Sequence, residues 1–467
     1  MTNKKKIFGI AGVVIGVLIA LLPPLPGLTA LSMRCLGIFV GTVLFWIGDV
    51  YPFFLTTLAM GVLMVITKTT SFNTVFAGYS NSMVWFMLGA MGIAGALTKS
   101  GLMKRLSYSI MRLFSPTFLG QTIGLNISGL IINPLIPSVT AKTAMVMPIA
   151  EAISNGMGYE KKSKGRHGLF GAAFVGITIT SHAFYSSNFH CIYVRGMLSE
   201  ELQAQFGFAQ WFLASLPWLL IVMIGMELAT LLLYKPAKTT GTVKSKEFVL
   251  EELKKMGPMS KDEKISGLIL LVSVALWATE KLHGIPSHMV AVTAAILLVY
   301  TGVLSANELV SSINWSMLVL CGVLITLGNV FAEVGINDYI AKLVSPMFGS
   351  GNSNPFILLT VISVIVYLMR FIVTAQMASL PIIFGAISPI AVVAGINPWV
   401  LAFTGLTATA TWTVLFQNTF AIQGFAAFGG DEGVKYGEIA KHSICYMLVN
   451  IIGILGSIPF WKIMGLM

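Results

Sequence analysis

Apolar runs of about 18 residues or more, enough to cross a bilayer core, recur along the chain between short polar segments. "IFGIAGVVIGVLIALLPPL" and "WFLASLPWLLIVMIGMELATLLL" are two of them. The pattern predicts spanning helices near 7–24, 30–48, 50–67, 82–98, 168–195, 208–233, 265–281, 287–304, 315–333, 398–416 and 442–466. The segment 98–114 differs: Lys99, Lys104, Arg105 and Arg112 alternate with apolar residues, as in a helix lying in the membrane interface, and 335–348 is its counterpart. The first run follows three lysines but has no small-x-small cleavage pattern and leads into further spans, so it reads as the first transmembrane helix. The fold class is all-α and polytopic.

Two apolar stretches, 118–153 and 354–389, are interrupted by prolines and hydroxyls. In "NPLIPSVTAKTAMVMPI" Pro137 has no N–H to donate and restricts Ile136. Backbone leaving a helix inside a membrane must find new partners, so it occurs where it is buried in protein or lines a cavity. The stretch therefore predicts two half-helices with a non-helical tip, and Ser138 and Thr140 near the second start. Such a start presents free N–H groups and the positive end of the dipole to an anion. The competing reading of Ser138 and Thr140 is plain helix capping.

The two halves repeat. Ser82-Met83 recurs at Ser316-Met317, Gly101 at Gly335, and "VTA" at Val139 again at Val373, each 234 residues on. "FVGITIT" at Phe174 recurs as "FTGLTAT" at Phe403, and Asn188 as Asn418. Each half holds an odd number of crossings, so the repeats are inverted, and paired broken segments in inverted repeats point to a secondary transporter with a midplane site. Thr140 and Thr374, at matching repeat positions, then hold two ends of one small anion. Thr178, Thr180, Thr407 and Thr409 lie beside glycines, where unwinding exposes carbonyls to a cation or small residues serve helix packing. Lys142 and Arg370 are intramembrane cations. Lys142 either neutralises a substrate carboxylate or snorkels to an interface.

The division that follows is a first helix in 1–29, repeat one in 30–234, a cytoplasmic linker in 235–264 and repeat two in 265–467. Gly101 and Gly335 are candidate hinges or plain helix ends.

Composition agrees. Charged residues are 10% of the 467, against roughly 25% in soluble proteins, and the mean hydropathy is +0.85. The net charge of +11 comes from loops at the N-terminus, 98–114, 155–167 and 235–264. That is the positive-inside pattern and puts the N-terminus in the cytoplasm; no basic-aromatic stripe suggests nucleic acid. Cys35, Cys191, Cys321 and Cys445 show no CxxC spacing. His182 and His190 lack an accompanying carboxylate motif and read as polar contacts rather than metal ligands. No nucleophile-base pair suggests an enzyme.

"NPLIPSVTAKTAMVMPI", "FIVTAQMASLPI" and the Asn188 and Asn418 segments resemble the divalent anion/sodium symporter family over nearly the whole chain. The resemblance implies about eleven spans with two re-entrant hairpins, a homodimer in the cell (inner) membrane, and elevator-type alternating access. It implies di- or tricarboxylates such as succinate, malate, 2-oxoglutarate or citrate as substrates, and sodium as a candidate coupling ion. A Ser-Asn-Thr motif at each tip of the family falls here on Ser138, Val139 and Thr140, and on Ile372, Val373 and Thr374. Valine offers neither a donor to a carboxylate nor an oxygen to sodium. Some exchangers of the family resemble this chain in carrying a cation two residues after the first threonine, here Lys142. The expected substrate site is thus Ser138, Val139, Thr140, Lys142, Asn188, Val373, Thr374 and Asn418. The expected sodium ligands are Ser138, Thr178, Thr180, Thr407 and Thr409. Sodium symport and anion exchange both remain open, with an inorganic oxyanion carrier or cation/proton antiporter of the same superfamily as the alternative. An antiporter needs intramembrane carboxylates, for which Asp49 and Glu151 are the candidates.

Overall fold

The first two helices, Asn3–Leu21 and Ala30–Gly48, cross at glycines. A Cβ on Gly37 would lie 2.3 Å from the Gly16 carbonyl, and one on Gly41 2.8 Å from that of Gly12, so the backbones themselves touch, as small residues permit in membranes. The computed structural model of the protein describes residues 3–236, 242–348 and 354–467. Among the described residues every regular element is helical.

Among the described residues six helices are long and apolar enough to cross a bilayer: Ala30–Gly48, Phe72–Ser100, Phe208–Tyr234, Trp315–Glu333, Pro355–Ile372 and Tyr436–Ile463. Several expected spans are shorter or broken. The run at 168–195 is not continuous: Lys164–Phe174 gives way to a wide turn at Val175–Ile179, two tight turns, and a new helix Phe189–Met197. Likewise 398–416 stops at Ala408, and the chain resumes as Thr419–Ala427 beyond a tight turn at Leu415–Gln417. Asn188 and Asn418 each cap the second piece through the side-chain oxygen. The first helix ends at Leu21, ahead of Pro23 and Pro24, which cannot continue it. The last begins at Tyr436, six residues before the expected start.

Both hairpins form. The first runs Phe118–Ile132, a tight turn at Asn133–Leu135, and Val139–Gly156; the second runs Pro355–Ile372 and Gln376–Ala394. They enter from opposite ends of the molecule. At the base of the first, Arg166 bonds Glu151 and Asn155, and the Lys162 amide donates to the Gly433 carbonyl at 2.8 Å. At the base of the second, the Asn397 amide donates to the Leu466 carbonyl at 2.9 Å. Helix Tyr436–Ile463, 28 residues and therefore about 42 Å long, separates Gly433 from Leu466.

The segment 235–264 is more than a linker. Its helix Thr242–Lys255 packs on Leu102–Met111 and on the first hairpin. Tyr108 meets Phe248 edge-on at 6.1 Å, Val249 is buried, and Lys104 pairs with Glu252. Arg105 donates to both Glu263 oxygens and to the Gly257 carbonyl. The apolar face expected to meet lipid at 98–114 is thus partly covered by protein.

Tryptophans join the broken helices to their neighbours. Trp399 stacks on Phe206 and Phe403 with centroids 4.8 and 4.9 Å away. Trp211 donates to the His182 carbonyl, Trp461 to that of Ala214, and Trp218 to Asn450. These contacts tie 180–183, 208–234, 398–408 and 436–463 into one body. Ser82–Ser100 packs mainly on Ser287–Tyr300, and also on Lys261–Ala278 and Phe189–Met197.

Candidate functional site

The hairpin tips meet the broken helices, and a buried cation sits at each meeting. In the first half, Lys142 is fully buried, and its ammonium donates to Asn133 Oδ1 at 2.7 Å and to the Ser187 carbonyl at 2.8 Å. Asn133 passes the connection on, donating to the Gly176 carbonyl at 2.9 Å and to Thr180 Oγ1 at 2.7 Å. Gly176 is where repeat one unwinds: a Cβ there would lie 2.7 Å from the Leu125 carbonyl.

In the second half Arg370 takes this part. It is fully buried, and one guanidinium nitrogen donates to the Val373 carbonyl at 2.8 Å and to that of Thr374. The other donates to the Gln417 carbonyl. Gln417 answers by donating Nε2 to the Arg370 carbonyl at 3.2 Å. Ser187 and Gln417 each immediately precede the capping asparagine. Both cations therefore hold the same carbonyl of the two broken helices, one from the returning arm of its hairpin and one from the entering arm. Neither has a carboxylate partner among the described residues. A buried charge without a counter-ion is expensive, and in a membrane it marks a pathway or site.

Ser138 caps the returning half-helix, accepting from the Ala141 amide at 3.2 Å. Thr140 is exposed, Val139 buried. The second tip lies in a different register from the sequence match. Its returning half-helix starts at Gln376 behind cap position Ala375, so Gln376 stands where Val139 stands in the first. Val373 and Thr374 lie in the turn and contribute carbonyls to Arg370. Thr140 and Thr374 are therefore not structural equivalents: one is in the helix, the other before it. Gln376 is buried and donates to Thr409 Oγ1 at 3.1 Å. It is a tip amide that lies outside both motifs of the sequence match.

The threonines divide. Thr180 and Thr409 are taken by Asn133 and Gln376 and donate to carbonyls in their own turns. Thr407 bonds back to Phe403, while Thr178 Oγ1 is buried without a hydrogen-bond partner. Asn188 uses Oδ1 for the His190 amide and Nδ2 for Ser181. Asn418 caps with Oδ1 and leaves Nδ2 buried and unpartnered. His182 bonds the Ile179 carbonyl and His190 bonds Asn188; among the described residues no group of His, Cys, Asp and Glu could hold a metal. Of the two candidate carboxylates, Asp49 pairs with Lys5 at 2.9 Å with its side chain exposed, and Glu151 pairs with Arg166 at the hairpin base. Sequence reasoning missed Asn133, Gln376 and Gln417. Each is a polar residue in an apolar string within four positions of one already singled out, Pro137, Thr374 and Asn418 respectively, which is the one signal that points to them.

A family model described as the sodium:sulfate symporter transmembrane region matches residues 3–467. The chain is 26% identical over 478 residues to dicarboxylate transporter 1, chloroplastic, of Arabidopsis thaliana, covering 98% of this chain and 83% of that one. It is 23% identical over 474 residues to inner membrane protein YbhI of Escherichia coli, covering 97% and 96%. The crystal structure of the Alcanivorax borkumensis YdaH transporter shares the fold, with a TM-score of 0.58 at 15% identity over 84% of this chain and 88% of that one.

Proposed function

Because the chain belongs to the sodium:sulfate symporter family of membrane anion transporters and is no enzyme, we propose that it exchanges small organic dianions such as dicarboxylates. The observation that carries this reading is the pair of buried cations, Lys142 and Arg370, without carboxylate partners. A dianion bound between the two tips neutralises both. The Asn418 Nδ2 and the half-helix start behind Ser138 supply further donors.

The same cations argue for exchange over sodium symport. Sodium needs oxygen ligands at the breaks, and the carbonyls of Ser187, Val373, Thr374 and Gln417 already accept from fixed side-chain cations. An empty carrier keeps two buried charges uncompensated and so resists crossing; a loaded one does not. The moving body is then the two hairpins with 164–234 and 398–463, held together by the tryptophan contacts. It slides as an elevator against the remaining helices, with the Lys- and Arg-rich end and the N-terminus in the cytoplasm.

Uptake of labelled succinate, 2-oxoglutarate and citrate into proteoliposomes tests this. Uptake that needs unlabelled anion preloaded inside, and no sodium gradient, is the expected result. Uptake driven by a sodium gradient alone overturns exchange. If none of the three anions moves under either condition, the carboxylate assignment fails, and sulfate becomes the next substrate to measure.

A further inference from the structure

Glu227 lies inside helix Phe208–Tyr234, seven residues before its end, or about 10 Å along the axis. The helix has 27 residues, about 40 Å, against a hydrocarbon core of about 30 Å. Glu227 and Asn126 border an apolar surface groove of about 260 Å³ with Ile123, Ile127, Met223, Ile224 and Leu228. An ionisable group so placed requires a reason.

Its hydrogen bonds fit either protonation state. Asn126 Nδ2 donates to Oε2 at 2.7 Å. Thr122 Oγ1 lies 2.5 Å from Oε1 and 3.1 Å from the Leu119 carbonyl. With the carboxyl ionised, Thr122 donates to Oε1 and shares its hydrogen with the Leu119 carbonyl. If the carboxyl carries a proton, it donates to Thr122 and Thr122 donates to Leu119, and every contact is made.

Among the described residues no cation pairs with this carboxyl. The other elements packed on this helix place their titratable groups elsewhere: His442 meets Thr230, His167 and Glu438 meet Tyr234, His182 lies against Trp218, and Tyr185 against Trp211. Lys261, Asp262, Glu263 and Lys264 occupy the first turn of their helix, with Glu263 bound to Arg105. None of these hydrogen-bonds or ion-pairs with Glu227.

We propose that Glu227 is a proton-binding site on the lipid-facing surface of the transport body, and that its protonated form is the one that crosses. The second clause rests on the carrier reading above. Displacement of the body toward the opposite membrane face takes this carboxyl deeper into hydrocarbon, which an ionised group resists.

Two measurements on the full-length protein in liposomes test it. A hydrophobic carbodiimide reacts with a protonated carboxyl in lipid, so mass spectrometry across a pH series is expected to find an adduct on Glu227 that weakens as pH rises and the proton leaves, by at most about tenfold per pH unit. No adduct, or one unchanged with pH, overturns the proton site whether or not any anion is carried. Succinate exchange is expected to slow over the same pH range in the native protein and to vary by less than about twofold in Glu227→Gln, whose side chain stays neutral. Equal pH profiles overturn the crossing role. Absence of exchange at every pH in the native protein counts against the carrier reading and the crossing role together, while the adduct decides the site.

Discussion

The Lys142 ammonium stands 2.8 Å from the carbonyl oxygen of Ser187, so a side chain of the first hairpin holds the broken helix one residue before Asn188. Arg370 does the same for Gln417 before Asn418. The two half-sites match in which carbonyl is held and differ in which hairpin arm supplies the cation.

Lys142→Gln removes the charge while keeping an amide able to donate. Charge-assisted hydrogen bonds contribute about 1.5–3 kcal/mol, so half-saturation for the anion is expected to rise by about tenfold to a hundredfold. Exchange kinetics in proteoliposomes check this. A variant with unchanged half-saturation and a lowered melting temperature would show that Lys142 only supports the tip.

Arg370→Lys keeps the charge and loses the planar fork that reaches Val373, Thr374 and Gln417 together. We expect a loss of about 2–4 kcal/mol in stability and exchange reduced at least about tenfold. Thermal unfolding in detergent and initial rates measure the two. Full activity would remove Arg370 from the site.

Gln376→Val makes the second tip apolar at the position Val139 occupies in the first. Thr409 loses its donor, a cost of about 1 kcal/mol. Affinity for the anion is expected to fall by about fivefold, whereas Thr374→Val, which leaves the Thr374 carbonyl in place, is expected to change it less. The reverse order would restore the register read from the sequence repeat.

Glu308, on the short helix Ala306–Ser312, titrates lower than usual, at about 2, chiefly through its hydrogen bond from Lys99 and then through the Ser305 amide. A carboxyl whose folded value is depressed adds stability above its ordinary value, 4.5, and loses it as pH falls toward the folded one. The melting temperature of Glu308→Gln is therefore expected to lie slightly below that of the native protein at neutral pH and to converge with it as pH falls from about 4.5 toward 2. The group is exposed, and the effect should shrink in high salt.

Some of this was written in the sequence. Long apolar runs require helices because a bilayer leaves no other partner for backbone groups. Pro134, Pro137 and the hydroxyls around them required a break at the first tip, and the recurrence of "VTA" placed its counterpart near Val373. Two features came only with the fold. Which atom a buried cation reaches depends on residues 45 or 47 positions away, as for Lys142 with Ser187 and Arg370 with Gln417, and such separations leave no local pattern. The register of the second tip was also hidden, because helix restart at Gln376 is decided by where freed carbonyls find donors, and that donor is Arg370. Glu227 stood in plain view in an apolar run, yet a single carboxyl gains meaning only from Thr122 and Asn126, which a different helix brings to it. Hydrophobicity is additive along a chain and can be read from it; hydrogen-bond satisfaction is a property of pairs, and only tertiary structure chooses the pairs.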